Sequence, residues 1–187
     1  MEAQSTRNGR ANALGRELVV RIEETSSASP EVVYEILEDL RSHGIWAGDR
    51  QKKNTRLLSV EAPGGPAAVG TEFHTTGADP MGSFSDRSVV TEAVQGRTLE
   101  FVTEALLTTK KGKGIEWTNV HRYELMPESD GSRIAYTIRI ARISELTGML
   151  SVFKIPGLRS LGLKASAGVA RRGVRNLARL AEERSTG

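Results

Sequence analysis

The side chains of this chain best suited to move protons near neutral pH are its three histidines, His43, His74 and His121. His121 is distinguished by its neighbours. Alternation through Ile115 to Met126 puts Trp117, Asn119, His121, Tyr123 and Leu125 on one face, and Thr118, Arg122 and Glu124 on the other. The second face is the more polar, so the first is expected to point inward. His121 and Tyr123 are therefore the catalytic candidates: an imidazole for general acid/base work, with a phenol two residues along to polarise a carbonyl. Tyr136 is a further orienting donor, and Asp86 and Arg122 are lesser helpers. The competing reading is that His121 only lines a pocket. The spacing of the histidines fits no metal site, so no metal is expected. The absence of cysteine excludes disulfides, thiolate catalysis and cysteine-bound zinc. The Lys110 to Gly114 loop lacks the spacing of a phosphate-binding loop, and neither a Gly-x-Ser-x-Gly elbow nor a dinucleotide fingerprint occurs, so no cofactor is expected.

Other strands should supply the rest of the inward face. Ile134, Tyr136, Ile138 and Ile140 alternate against Arg133, Thr137 and Arg139. Leu99 and Phe101 point inward by the same rule. Phe73 and Thr75 should point in and His74 out, although a one-residue slip would exchange them. Trp46 and Phe84 are placed at the rim. The candidate ligand-binding residues are thus Trp46, Phe73, Phe84, Phe101 and Trp117, with Asn119, His121, Tyr123, Tyr136 and Ile138. Apolar bulk with sparse polar groups suits a small-molecule pocket. It equally suits a filled core whose polar groups have found partners.

The elements that must hold these residues follow one order. Residues 1–15 are polar and aperiodic and are expected to form a flexible tail, with a single domain over 16–187. Leu18, Val20 and Ile22 alternate as a strand. Ser29, Pro30 and Glu31 then open a helix carrying Val33, Ile36, Leu37 and Leu40, with Gly44 as its stop. A second short helical turn over Ser42 to Gln51 carries Trp46. Six further strand signals follow, at 56–60, 70–75, 84–94, 98–104, 115–126 and 133–143. Ser144 and Glu145 resemble a helix start for Leu146, Met149, Leu150 and Phe153, and Pro156-Gly157 should break that helix. A longer stripe continues through Leu158, Leu161, Ala165, Val169, Leu177 and Leu180. Gly157, Gly162, Gly168 and Gly173 interrupt it, each costing roughly 1 kcal/mol relative to alanine. Close approach to the sheet, thinning of a cavity wall or flexibility would each account for them. The expectation is an α+β fold: a long helix on a curved antiparallel sheet, enclosing a hollow.

The net charge of +3 is concentrated toward the C-terminus. Arg171, Arg172, Arg175 and Arg179 could make a weak contact with an anionic membrane. Aromatic residues are only 5% of the chain and do not interleave with these arginines, so no nucleic acid is expected. The N-terminal residues lack the apolar run of a signal peptide, and no stretch is long and apolar enough to span a bilayer, so a cytoplasmic location is expected.

Four segments in this order resemble a known family: Ser26 to Leu40 followed by Trp46; Val69 to Phe73; Leu99 to Phe101 after the Gln95-Gly96 turn; and Tyr123 to Leu125 with Gly131 to Tyr136. The chain resembles the SRPBCC superfamily of START-like, helix-grip proteins, and in particular its bacterial polyketide cyclase/dehydrase-like branch. The resemblance implies a seven-stranded antiparallel sheet gripping the C-terminal helix, a helix pair after the first strand, and a cavity between sheet and helix. Members typically bind lipids, sterols, polyketides or other apolar molecules, and only some are enzymes. The family has no universal catalytic motif to carry over. The expected function is binding of a lipid or polyketide-like molecule. The alternatives are a cofactor-free cyclase/dehydratase using His121 and Tyr123, and an interaction module at an anionic surface.

Overall fold

Period-two burial organises the sheet. In β1 (Leu18–Ser26), Leu18, Val20 and Ile22 are buried and the residues between them are exposed. The computed structural model describes residues 12–13, 15, 17–49, 56–78, 80–147, 150–151 and 155–187, with backbone alone at 49, 56, 58, 156–163 and 165–166. After β1 come α1 (Pro30–Glu38), a 3-10 turn (Leu40–Ser42), a π-helical turn (Gly44–Asp49), and the strands β2 (Arg56–Glu61), β3 (Glu72–Ala78), β4 (Gly82–Val94), β5 (Thr98–Thr109), β6 (Gly114–Glu128) and β7 (Gly131–Ile143). The chain ends in α2 (Pro156–Ser185). All neighbouring strands are antiparallel, in the order β1-β7-β6-β5-β4-β3-β2. The result is a helix-grip α+β fold, with the curved sheet holding α2 against β1, α1 and the π-helical turn.

Two irregularities shape the inner face. Between β6 and β7 the register shifts, so Asn119 faces Ile140 while Trp117 faces Ile143. Ala141 is the extra residue. The bulge lets Ile140 and Ile143, three positions apart, serve the same face. On β4 a similar shift at Thr91 brings both Val90 and Ala93 inward, opposite Phe101 and Leu99. At the β6–β7 turn, Gly131 has φ +139° and a Cβ there would sit 2.0 Å from the Ser26 carbonyl oxygen, so only glycine lets this turn pack on the end of β1.

Apolar side chains gather in two clusters. The larger joins α1, α2 and one end of the sheet through Ile22, Val33, Leu37, Leu99, Ile134 and Leu177. The smaller closes the other end with Leu18, Leu107, Ile115, Ile143 and Leu146. Hydrogen bonds anchor α2: the Ser26 hydroxyl donates to the Ala178 carbonyl (3.2 Å), and the Asn176 amide donates to the Trp46 carbonyl (3.1 Å).

Several expected boundaries differ. Residues 144–147 are not helical. The Ser144 amide donates to the Glu116 carbonyl and its hydroxyl accepts from the Glu116 amide, so the residue extends the strand pairing instead of capping a helix. Leu146 enters the smaller cluster, while Met149 and Phe153 lie outside the described residues. The first helix ends at Glu38, before Gly44, because the Ser42 hydroxyl donates to the Ile36 carbonyl at 2.5 Å and tightens the chain into the 3-10 turn. β5 runs on to Thr109. Within the segment read as a tail, Ala13 donates to the Ile143 carbonyl and Asn12 bonds the backbone of both Ala141 and Ile143. Residues 1–11 and 14 of that segment lie outside the described residues, as do residues 50–55, Gln51 among them. No helix among the described residues is long and apolar enough to cross a membrane.

Candidate functional site

Between the two apolar clusters the inner face of the sheet loses bulk. Strand pairing aligns Phe73, Ser88, Thr103, Asn119 and Ile140 as one cross-strand row. Thr75, Asp86, Ala105, Trp117 and Ile143 form the next. The middle of each row is small or polar. Opposite them α2 presents Ala170, Gly173 and Val174. Small residues on both walls leave a cavity of about 340 Å³, within the range of small-molecule sites. Gly173 is buried on its wall, so the cavity-thinning explanation of the helix glycines applies there. A second lobe of about 390 Å³ shares Trp117, Asn119, Tyr136, Val169 and Ala170 with the first, and is otherwise walled by Val20, Met81, Ile138, Ile140, Ile143 and Leu150. One lobe is therefore edged with polar groups and the other is nearly all apolar.

Rings crowd the first lobe. Phe101 stacks on His121 with centroids 4.8 Å apart and meets Phe73 edge-on at 5.2 Å. His43 lies 4.5 Å from Trp46, and Tyr123 stacks on Tyr136 at 4.6 Å. The Tyr136 hydroxyl and His121 Nδ1 share a hydrogen bond of 2.7 Å. Burial pushes both phenols up and pushes His121 down to about 3, with His43 nearby adding to the same shift. The imidazole is thus neutral at ordinary pH.

His43 is also neutral. Burial lowers it to about 4, and its Nδ1 bonds the Leu40 carbonyl at 3.1 Å. A carbonyl only accepts, so Nδ1 carries the proton and Nε2 the lone pair. Asp86 is shifted the other way. Burial raises its carboxyl to about 6, partly offset by the Thr75 hydroxyl, which donates across 3.4 Å. The Ser88 and Thr103 hydroxyls bond each other at 2.8 Å. No lysine or arginine lines either lobe among the described residues.

Nine of the ten candidate residues line the first lobe: Trp46, Phe73, Phe84, Phe101, Trp117, Asn119, His121, Tyr123 and Tyr136. Ile138 lines the second, which Trp117, Asn119 and Tyr136 also border. Phe73 and Thr75 point in, while exposed His74 pairs with Glu72. Trp46 is not at the rim. It is 2% exposed, and its indole donates to the Ser42 hydroxyl. His121 bonds Tyr136, its cross-strand neighbour but one, in place of Tyr123. Arg122 faces outward among Glu92, Glu100 and Glu124, remote in function from the cavity. Five polar wall residues were absent from the candidate ligand set: His43, Thr75, Asp86, Ser88 and Thr103. Asp86 follows Phe84 at strand spacing and was legible by the same alternation. His43 sits between helical turns, where no period applies. On α2, Arg171 and Arg175 both pair with Glu24, and Arg172 and Arg179 are exposed. No group of three metal-binding side chains occurs among the described residues.

No family model matches the chain, and no curated protein matches it. Solved structures do. A protein of Rhizobium leguminosarum is similar with TM-score 0.63 and 14% identity, over 90% of this chain and 95% of that one. A protein of Chromobacterium violaceum is similar with TM-score 0.59 and 16% identity, over 88% and 96%. Ara h 8.0201 is similar with TM-score 0.54 and 12% identity, over 88% and 97%. At these identities the likeness is one of fold.

Proposed function

We propose that this protein binds an apolar, ring-containing small molecule, of the lipid or polyketide-like kind that the helix-grip resemblance implies, in the two-lobed cavity between sheet and α2. The observation that carries the reading is the pair of small-residue rows facing Ala170 and Gly173, which opens a hollow in the middle of an otherwise filled core. Close packing is the rule in protein interiors, so a void of this size, walled by rings and a few polar groups, suits a guest better than it suits stability. Native mass spectrometry of the purified protein, with organic extraction of what dissociates, tests it. A stoichiometric adduct lost on denaturation supports the reading. A bare mass that also stays bare with added naphthalene-sized ligands sinks it.

The cyclase/dehydratase alternative draws on the Tyr136–His121 hydrogen bond, with Tyr123 stacked on Tyr136, inside the cavity. An efficient general base has a pKa near the working pH, and His121 at about 3 is far below it. The bonded pair suits orientation of a guest better than proton abstraction.

A further inference from the structure

Three buried polar atoms on residues of the first lobe have no hydrogen-bond partner among the described residues: His43 Nε2, Asp86 Oδ1 and Asn119 Oδ1. All three are of one kind. Nε2 of His43 holds a lone pair because Nδ1–H is committed to Leu40, and the two oxygens are a carboxylate and an amide carbonyl. Leaving a buried acceptor unmade costs free energy, and native structures normally satisfy such atoms. They do not cluster at a point. Asp86 is on β4, Asn119 on β6 one row along, and His43 on the opposite wall between the helical turns. One small cation could not serve all three, whereas a ring system bearing donors on more than one edge could.

The charge pattern points the same way. The lobe holds a carboxylate and no lysine or arginine among its described lining residues, and burial keeps both its histidines neutral. An anionic guest would enter without a counter-charge and against Asp86, which is costly at low dielectric.

Resting on the proposed ligand-binding reading, we infer that Asp86, Asn119 and His43 are specificity-determining residues that select an apolar ring compound carrying hydroxyl or amine donors and reject one carrying carboxylates. A carboxylate raised to about 6 by burial has much to gain from such donors, which fits this role.

The probes are naphthalene, 2,6-dihydroxynaphthalene, 2,6-diaminonaphthalene and naphthalene-2,6-dicarboxylate, followed through the indole N–H signals of Trp46 and Trp117 on the cavity wall. The expected result is that the diol or the diamine binds at least about ten-fold tighter than naphthalene and the dicarboxylate does not bind, as one hydrogen bond to a charged group would give. Which of the two wins separates hydroxyl from amine ligands. Asp86→Leu should reduce the preference for the diol or diamine, with the circular dichroism of the parent showing that the variant is folded. If naphthalene binds and the diol and diamine bind no better, or the dicarboxylate binds as well, the selectivity inference is overturned and the cavity reading stands. If no probe binds, both fall.

Discussion

The Tyr136 hydroxyl lies 2.7 Å from Nδ1 of His121, on the neighbouring strand and inside the cavity. The Tyr123 ring stacks on that of Tyr136 with centroids 4.6 Å apart, and both phenols are buried. Tyr136→Phe would leave His121 Nδ1 without its partner. It should cost about 1–3 kcal/mol of stability, measured by urea denaturation. In a double-mutant cycle with His121→Leu the two losses should fall short of additive by about 1 kcal/mol. Strict additivity would mean that the bond does not exist in solution.

Gly173 combines a helical position with a place on the cavity wall. Gly173→Ala should raise stability by up to roughly 1 kcal/mol through helix propensity. Gly173→Leu should keep the circular dichroism of the parent and lose binding of any adduct found by mass spectrometry. A leucine variant that binds as before would move the site elsewhere.

Acid should destabilise the protein. His43 and His121 have folded values of about 4 and about 3, below the ordinary 6.5. Between those values and 6.5 the unfolded chain takes up protons that the folded chain does not, so stability falls as the pH falls. Asp86 opposes this: its carboxyl, raised to about 6 from 3.8, protonates first in the folded chain, so stability is gained as the pH falls through that window. Two imidazoles outweigh one carboxyl, for a net loss on the order of 4 kcal/mol between pH 7 and pH 4. Denaturation midpoints across this range should decline, and Asp86→Asn should steepen the decline by removing the offset.

Gly131→Ala should be damaging out of proportion to its size. The added methyl meets the Ser26 carbonyl oxygen and the backbone of Ser27, at a φ that side chains rarely adopt. A loss of about 2 kcal/mol is expected, read as a lowered melting temperature. An unchanged melting temperature would show that the turn has another low-energy conformation.

The sheet was legible in the sequence because strands carry a period of two that burial reinforces. Trp117, Asn119, His121 and Tyr123 could be assigned to one face without knowing their partners. What interrupts that period was not legible. The extra residue at Ala141 obeys no pattern, yet it decides that Ile143 closes the end of the second lobe. Ser144 carries a helix-capping side chain and uses it on β6, because a neighbouring strand offered an amide first. His43 and the depth of Trp46 depend on how the short turns after α1 fold back over β3 and β5, a tertiary outcome with no local signal. The chemical consequence of Asp86 was hidden for a similar reason: its side of the strand could be read, but not that the row it occupies would be left hollow.

The hollow rows run between the two apolar clusters and share side chains with them: Phe73, Phe101, Tyr123 and Tyr136 belong to the larger cluster and also wall the cavity, whereas Ser88, Thr103 and Asn119 wall it and belong to neither. On β6, Ile115 belongs to one cluster and Leu125 to the other, while Trp117, Asn119 and His121 between them border the hollow. Substitutions at Ser88, Thr103 or Asn119 change the shape of the hollow without removing a side chain from either cluster. Substitutions at Phe73, Phe101, Tyr123 or Tyr136 change the hollow and the core together, so it is the small and polar positions that let a designer reshape the cavity apart from the core.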